Sequence, residues 1–144
     1  MVNQAGGASK SLKAVSLVQA VLLTIQFIIG MWINLFAPMN VTPPHSYFMM
    51  GYMMYYFSLI PLLAPHMAVG VIIGLLFIVI LVLSLLSRNV VKATLSVIGG
   101  IMTLMAGIAG MAFVAGGLSN NALSMIMSVG FAGDIAVVIL LLYL

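Results

Sequence analysis

The stretch HMAVGVIIGLLFIVILVLSLLSRNVVK, residues 66–92, decides the fold. From His66 to Ser87 the chain runs 22 residues without a charge. At about 1.5 Å per residue that run reaches ~33 Å as a helix, enough to cross a hydrocarbon core of ~30 Å. Arg88 and Lys92 then flank a short turn, and a second apolar run begins. The stretch therefore reads as one membrane-spanning helix, a basic turn and the first residues of the next.

Outward from it, the same reading gives four spans: 12–36, 66–87, 91–115 and 122–144. The composition demands this. The 144 residues are 65% hydrophobic and 3% charged, with a mean hydropathy of +1.38. A soluble domain carries roughly 25% charged residues, so this chain is expected to be a single integral membrane domain, 1–144, with no separate soluble part. The N-terminal MVNQAGGASKSLK is weakly basic, and the apolar run behind it is long enough to span, so it reads as the first helix rather than a cleaved signal. The absence of cysteine excludes disulfides and thiolate metal sites. Lys10, Lys13, Arg88 and Lys92 are too few for a nucleic-acid surface.

Those four cations also orient the chain. Lys10 and Lys13 precede the first span, and Arg88 and Lys92 bound the turn between the second and third. All fall on one side when both termini are cytoplasmic, which predicts a multi-pass protein of the cell membrane with both ends inside.

Residues 37–65 break the regularity. They hold all five prolines (Pro38, Pro43, Pro44, Pro61, Pro65) and, between Pro44 and Pro61, the uncharged HSYFMMGYMMYYFSLI. As a helix this segment reaches only ~24 Å, and spanning would move Arg88 and Lys92 to the wrong side. It is expected to be a proline-bounded outer helix lying on or dipping into the membrane. Trp32 and Tyr143 read as interface anchors. The expected fold is thus all-α, a four-helix transmembrane bundle with an outer interfacial helix between helices 1 and 2.

Small residues mark where helices approach closely. Gly99, Thr103 and Gly107 recur every four residues in the third span, with Gly110 nearby; Gly70 and Gly74 form a GxxxG in the second, and Gly130 lies one turn before Asp134. Tight packing within the chain is the first reading, a homo-oligomer interface the alternative.

Asp134 is the one acidic side chain, in the sequence GFAGDIAVV. It lies ten residues from Leu144 and twelve from Ala122, about 15–18 Å from either end. An aspartate at a helix centre costs on the order of 2.5–3.5 kcal/mol on insertion scales, and burial disfavours the charged form. A neutral acid facing the bundle interior is expected. Thr24, Gln26 and Thr103 fall near its level by depth count; no Lys or Arg does, and no polar chain leads away from it. An interhelical hydrogen bond is the first reading of this acid and a proton or ion relay the alternative.

His66 opens the second span and His45 the outer helix, both at the outer boundary. Neutral imidazole suits haem iron or copper, with His45, Met111, Met125 or Met127 as candidate second ligands for His66. Met49, Met50, Met53 and Met54 form two M-x-x-x-M pairs, and thioethers select Cu(I); these pairs resemble copper-transporter helices. Asn40-Val41-Thr42 is an N-glycosylation sequon on the predicted outer side. No set of side chains resembles a catalytic constellation, so no enzymatic activity is expected.

The segments QFIIGMWINLF, APHMAVGVIIGLL, GIAGMAFVAGG and SMIMSVGFAGDIAV together resemble small four-helix membrane proteins of unknown function found in prokaryotes. The helix opening at His66 is similar to haem-bearing helices of haem A synthase and cytochrome b561-type bundles, which implies haem b with His66 as ligand. The leading functional expectation is a non-enzymatic structural or accessory subunit of a larger membrane complex, respiratory in one version, or of a homo-oligomer. The expected partners are the lipid bilayer and other membrane subunits or a second copy, with no nucleic acid. The alternatives are an electron carrier holding haem b or quinone near His66, and a proton, ion or copper conduit through Asp134 or the methionines.

Overall fold

A computed structural model describes residues 2–37 and 49–144, with side chains described from residue 7 in the first stretch and from residue 51, except Tyr52, in the second. The chain is all-α. Four long helices, α1 (Val2–Phe36), α3 (Leu63–Leu86), α4 (Val90–Ala115) and α5 (Asn121–Tyr143), form a bundle, and the short α2 (Met49–Leu59) lies between the first two. Each long helix contains a segment long and apolar enough to cross a membrane.

Burial follows a 3–4 spacing on every long helix. On α1 the inward residues are Ser9, Leu12, Ser16, Gln19, Leu23, Gln26, Gly30 and Ile33; on α3 they are Leu63, His66, Gly70, Ile73, Phe77, Ile80 and Ser84. On α4 they are Lys92, Ser96, Gly99, Thr103, Ala106, Gly110 and Phe113, and on α5 Leu123, Met127, Gly130, Asp134, Val137 and Leu141. Alternating steps of three and four keep one seam facing its neighbours in a left-handed bundle. The helices alternate in direction and pack around a ring, α1 on α3, α3 on α4, α4 on α5 and α5 on α1. Both termini therefore lie at one end, the terminal end; α2 lies at the other, the α2 end.

Two apolar clusters fill the interior. One holds Leu12, Leu23, Ile73, Phe77, Ile80, Val137, Val138 and Leu141. The second, nearer the α2 end, joins Ile33, Leu63, Phe113, Val114 and Leu118 to Tyr56 and Ile60. Tyr56 and Ile60 are buried, so the α2 segment packs onto α3 and α4. Helix α3 starts at Leu63 and takes Pro65 into its first turn. There the missing N–H of proline costs nothing, because first-turn N–H groups have no intrahelical acceptor.

The α3–α4 turn is closed by Asn89, whose side chain accepts from Lys92 N at 3.2 Å, an N-cap on α4. Asn120 caps α5 in the same way, accepting from Ala122 N at 3.0 Å. Between α4 and α5 the chain reverses through Gly117 at φ +78°, a left-handed conformation glycine adopts without a Cβ penalty.

Candidate functional site

In a membrane the usual pattern inverts: polar side chains turn inward and apolar ones face lipid. Ser16, Gln19, Ser84, Lys92, Ser96 and Asp134 are all buried, while Leu17, Val71, Ile101, Leu104 and Ile139 face out. Beyond Thr103, which the depth count already places beside Asp134, the interior holds polar side chains that a count along the chain does not bring out. The signal was present in the sequence, since Ser9, Ser16, Gln19 and Gln26 follow the 3–4 seam on an otherwise apolar helix, but it shows only when α1 is read by face.

The interior polar groups fall into three sets, apart from Ser16, whose Oγ is buried without a described partner. Toward the terminal end, Ser96 donates to Lys92 O at 2.9 Å, leaving Ser84 to donate to Ser96 Oγ at 2.6 Å, and this links α3 to α4. Lys92, 5% exposed, donates from Nζ to Ser9 Oγ at 3.0 Å, which ties the start of α4 to the start of α1. Deeper in, Gln19 donates from Nε2 to Ile73 O at 3.1 Å, reaching a backbone carbonyl of α3.

The second set is the acid. Asp134, 2% exposed, accepts from Thr103 Oγ1 at Oδ2 over 2.8 Å, joining α5 to α4. Its Oδ1 is buried with no hydrogen-bond partner among the described residues. The backbones meet closely here. A Cβ on Gly130 would stand 2.8 Å from Ala106 Cβ and 2.9 Å from Met102 O, and one on Gly133 would stand 2.9 Å from Met102 Cγ. The carboxyl therefore sits at the tightest described part of the α4–α5 crossing, with Leu123 and Met127 of the second apolar cluster on one side along α5 and Val137, Val138 and Leu141 of the first on the other.

The third set joins α1 to α3 near the α2 end. Gln26 Nε2 lies 3.2 Å from His66 Nε2. An amide nitrogen only donates, so the imidazole nitrogen accepts and the ring proton is on Nδ1. Glycines make this contact, and they do so reciprocally. The imidazole lies over Gly30, where a Cβ would come 3.1 Å from His66 Cε1, and the Gln26 amide lies over Gly70, where a Cβ would come 3.3 Å from Gln26 Nε2. Gln26 and Gly30 on α1 thus clasp His66 and Gly70 on α3, each polar side chain seated on the other helix's glycine. Gln26 Oε1 and His66 Nδ1 are buried without described partners.

Of the residues placed by depth near Asp134, then, Thr103 bonds to it and Gln26 belongs to the histidine. Thr24 is exposed and returns its hydroxyl to Ala20 O at 2.9 Å, so it is not part of the site; depth alone does not say which face a residue occupies. Among the glycines, Gly99 packs against Phe77, Gly110 faces Met127 Sδ, and Gly70 and Gly130 serve the contacts above. Gly74 and Gly107 have no atom within 4 Å of a built Cβ, and the same holds for Gly100.

The histidine does not fit a haem as packed. Its Nε2 is engaged by Gln26 and its ring lies against α1. Met111 and Met125 face outward, and Met127 lies in the α4–α5 contact. No group of three or more His, Cys, Asp or Glu occurs among the described residues. Met54 is exposed and Met53 half-buried on α2; the side chains of Met49 and Met50, and all of Asn40 and His45, lie outside the described residues.

The chain is a polytopic helical membrane protein with a few polar groups buried among its apolar clusters. No protein-family model, curated protein or solved structure matches it.

Proposed function

We propose that the chain is a non-enzymatic subunit of a membrane assembly and that it contributes a mid-membrane proton-binding carboxyl, Asp134. The observation that carries this is the half-satisfied state of the acid. An oxygen needed only as an acceptor for Thr103 could come from asparagine, without a group whose charged form is so costly in the hydrocarbon core. A buried polar atom without a partner is itself unfavourable by about 1–3 kcal/mol, and Asp134 Oδ1 is such an atom. Protonation turns the carboxylate into a neutral group, suited to an interior with no cation beside it; Lys92 binds Ser9, well removed along α4 from Thr103.

Membership of an assembly is supported by a different observation. Gly74, Gly100 and Gly107 meet nothing within 4 Å, although glycine inside a helix costs about 1 kcal/mol relative to alanine. Their use lies outside the single chain, in the close approach of another helix. Between α4 and α5 an open groove of about 460 Å³, lined by Ile101, Leu104, Ile108, Leu123 and Ile126, adds apolar relief to the exterior.

The test of the proton site is chemical. Dicyclohexylcarbodiimide reacts with protonated carboxyl groups in apolar surroundings, and Asp134 is the one side-chain acid in the chain. The protein in native-like bilayers is expected to form an adduct that fragmentation maps to Asp134 and that Asp134→Asn abolishes. Complete failure of the folded protein to react there across a pH series would refute the reading. The assembly reading is tested separately, by size and composition after extraction in mild detergent: a bare monomer from native membranes would contradict it.

A further inference from the structure

The structure assigns a second site, at the terminal end of the bundle: we infer that Lys92 and Ser9 hold a phosphate group there. The site is independent of the proton-binding reading of Asp134.

Lys92 is a buried cation without a counter-charge. It is 5% exposed, and the partner described for its Nζ is the neutral hydroxyl of Ser9 at 3.0 Å. An ammonium group has three protons to donate, and a charge taken out of water is costly unless it is paired. The side chains of the protein do not supply that pair. The one acidic residue, Asp134, accepts from Thr103. Thr103 is eleven residues along α4 from Lys92, ~16 Å of helix. The carboxyl of Leu144 lies at the terminal end too, and no ion pair joins it to Lys92.

The pair sits where an anion can reach it. The ring runs α1, α3, α4, α5, so α1 and α4 stand diagonally across it. The Lys92 side chain therefore reaches over the mouth of the interior to Ser9, which is half-buried at the rim. Inward of the pair the interior is closed: Ser84 and Ser96 bond each other, and Leu12 and Leu141 are fully buried. The open side is the outer one. Depth agrees with this. Helix α4 has 26 residues, ~39 Å of length against a hydrocarbon core of ~30 Å. Centred on that core, it leaves about three residues outside at each end, and Lys92 is the third residue from its start at Val90. Lys92 is thus level with the inner edge of the headgroup layer, where lipid phosphates lie. Lys10, Lys13 and Arg88 are exposed at the same end, and clustered cations at a membrane face attract anionic lipids. Those three are solvated; Lys92 is the buried one and forms the anchor.

A phosphate group meets each requirement. Its oxygens accept the remaining ammonium protons, and its charge balances the lysine. The Ser9 hydroxyl, already accepting from Nζ, keeps its own proton to donate to a phosphate oxygen. A lipid headgroup and a free phosphate ion present the same oxygens, and the experiment separates the two sources.

The purified chain in a non-ionic detergent is titrated with phosphatidylglycerol, phosphatidylcholine or inorganic phosphate, and bound ligand is counted by native mass spectrometry. Wild type is expected to retain phosphatidylglycerol in preference to phosphatidylcholine. Lys92→Met keeps the length of the side chain and loses its charge. Its affinity for phosphatidylglycerol is expected to fall at least about tenfold, the size of one lost hydrogen bond to a charged group. Lys13→Gln, which removes an exposed cation, is expected to change it far less. Ser9→Ala is expected to weaken binding in the same direction as Lys92→Met, and serves should that variant not fold. Inorganic phosphate that neither binds nor competes identifies the lipid as the source, whereas Lys92-dependent binding of inorganic phosphate identifies the free ion; either upholds the site. Equal affinity for phosphatidylglycerol in wild type, Lys92→Met and Ser9→Ala, with no Lys92-dependent binding of phosphate, overturns it. So does a carbodiimide cross-link in native membranes from Lys92 to a carboxyl group of another protein, because a partner's acid then balances the lysine.

Discussion

Replacing Gly130 by alanine places a methyl group 2.8 Å from Ala106 Cβ and 2.9 Å from Met102 O. Carbon atoms pack best at about 3.5–4.0 Å, so α4 and α5 must separate by roughly half an ångström or more. One of the two obstacles is a backbone oxygen, which no rotamer change can move. Overpacking of this kind costs about 1–3 kcal/mol. The helix-propensity gain of alanine over glycine, up to about 1 kcal/mol, works the other way. In the dissociated single chain, Gly107→Ala separates the two effects, because a Cβ there meets nothing of its own chain within 4 Å. The propensity gain is shared, so the difference between the variants isolates the clash: Gly130→Ala should be less stable than Gly107→Ala by about 1–3 kcal/mol. Unfolding in mixed micelles, followed by circular dichroism with both proteins in the same detergent, reads this directly. Because Asp134 lies one turn from Gly130, its bond to Thr103 should loosen too, and its reaction with carbodiimide should change in the same variant. Equal stability of the two alanine variants would refute the packing at this crossing.

Three further outcomes follow from other contacts. Ser84→Ala removes the donor to Ser96 and should lower stability by about 0.5–1 kcal/mol, the usual size of an interhelical hydrogen bond in a membrane; a loss above that range would mean the α3–α4 seam depends on it far more than its geometry implies. Asp134→Asn keeps an oxygen to accept from Thr103, so its unfolding midpoint should stay close to wild type while the carbodiimide adduct disappears. A large loss of stability with that substitution would contradict the placement of the Thr103 bond. Gly70→Leu puts a side chain where the Gln26 amide now rests, 3.3 Å from a built Cβ, and should displace Gln26 from His66; the histidine ring signals in NMR spectra of detergent-solubilised protein should shift, whereas Gly74→Leu, in open space, should leave them in place.

What the sequence determined by itself was everything that depends on amount and length. Runs of apolar residues long enough for a bilayer, a basic turn at Arg88 and Lys92, and prolines gathered between Ala37 and Pro65 define four long helices and a short one without reference to any contact. Helix formation there is forced, because a backbone in hydrocarbon must satisfy its own hydrogen bonds. The mid-span position of Asp134 and its proximity to Thr103 could also be counted along the chain. The tertiary structure alone decided which polar residues meet. Thr24 and Gln26 are two residues apart and at nearly one depth, yet one faces out and bonds its own helix while the other clasps His66. Gly70 and Gly74 belong to one motif, yet of the two only Gly70 would bring a Cβ within 4 Å of a described side chain. The reason is angular: successive residues turn by about 100° around a helix, so depth follows from sequence position, but the face turned to a partner is settled only when four helices share one interior.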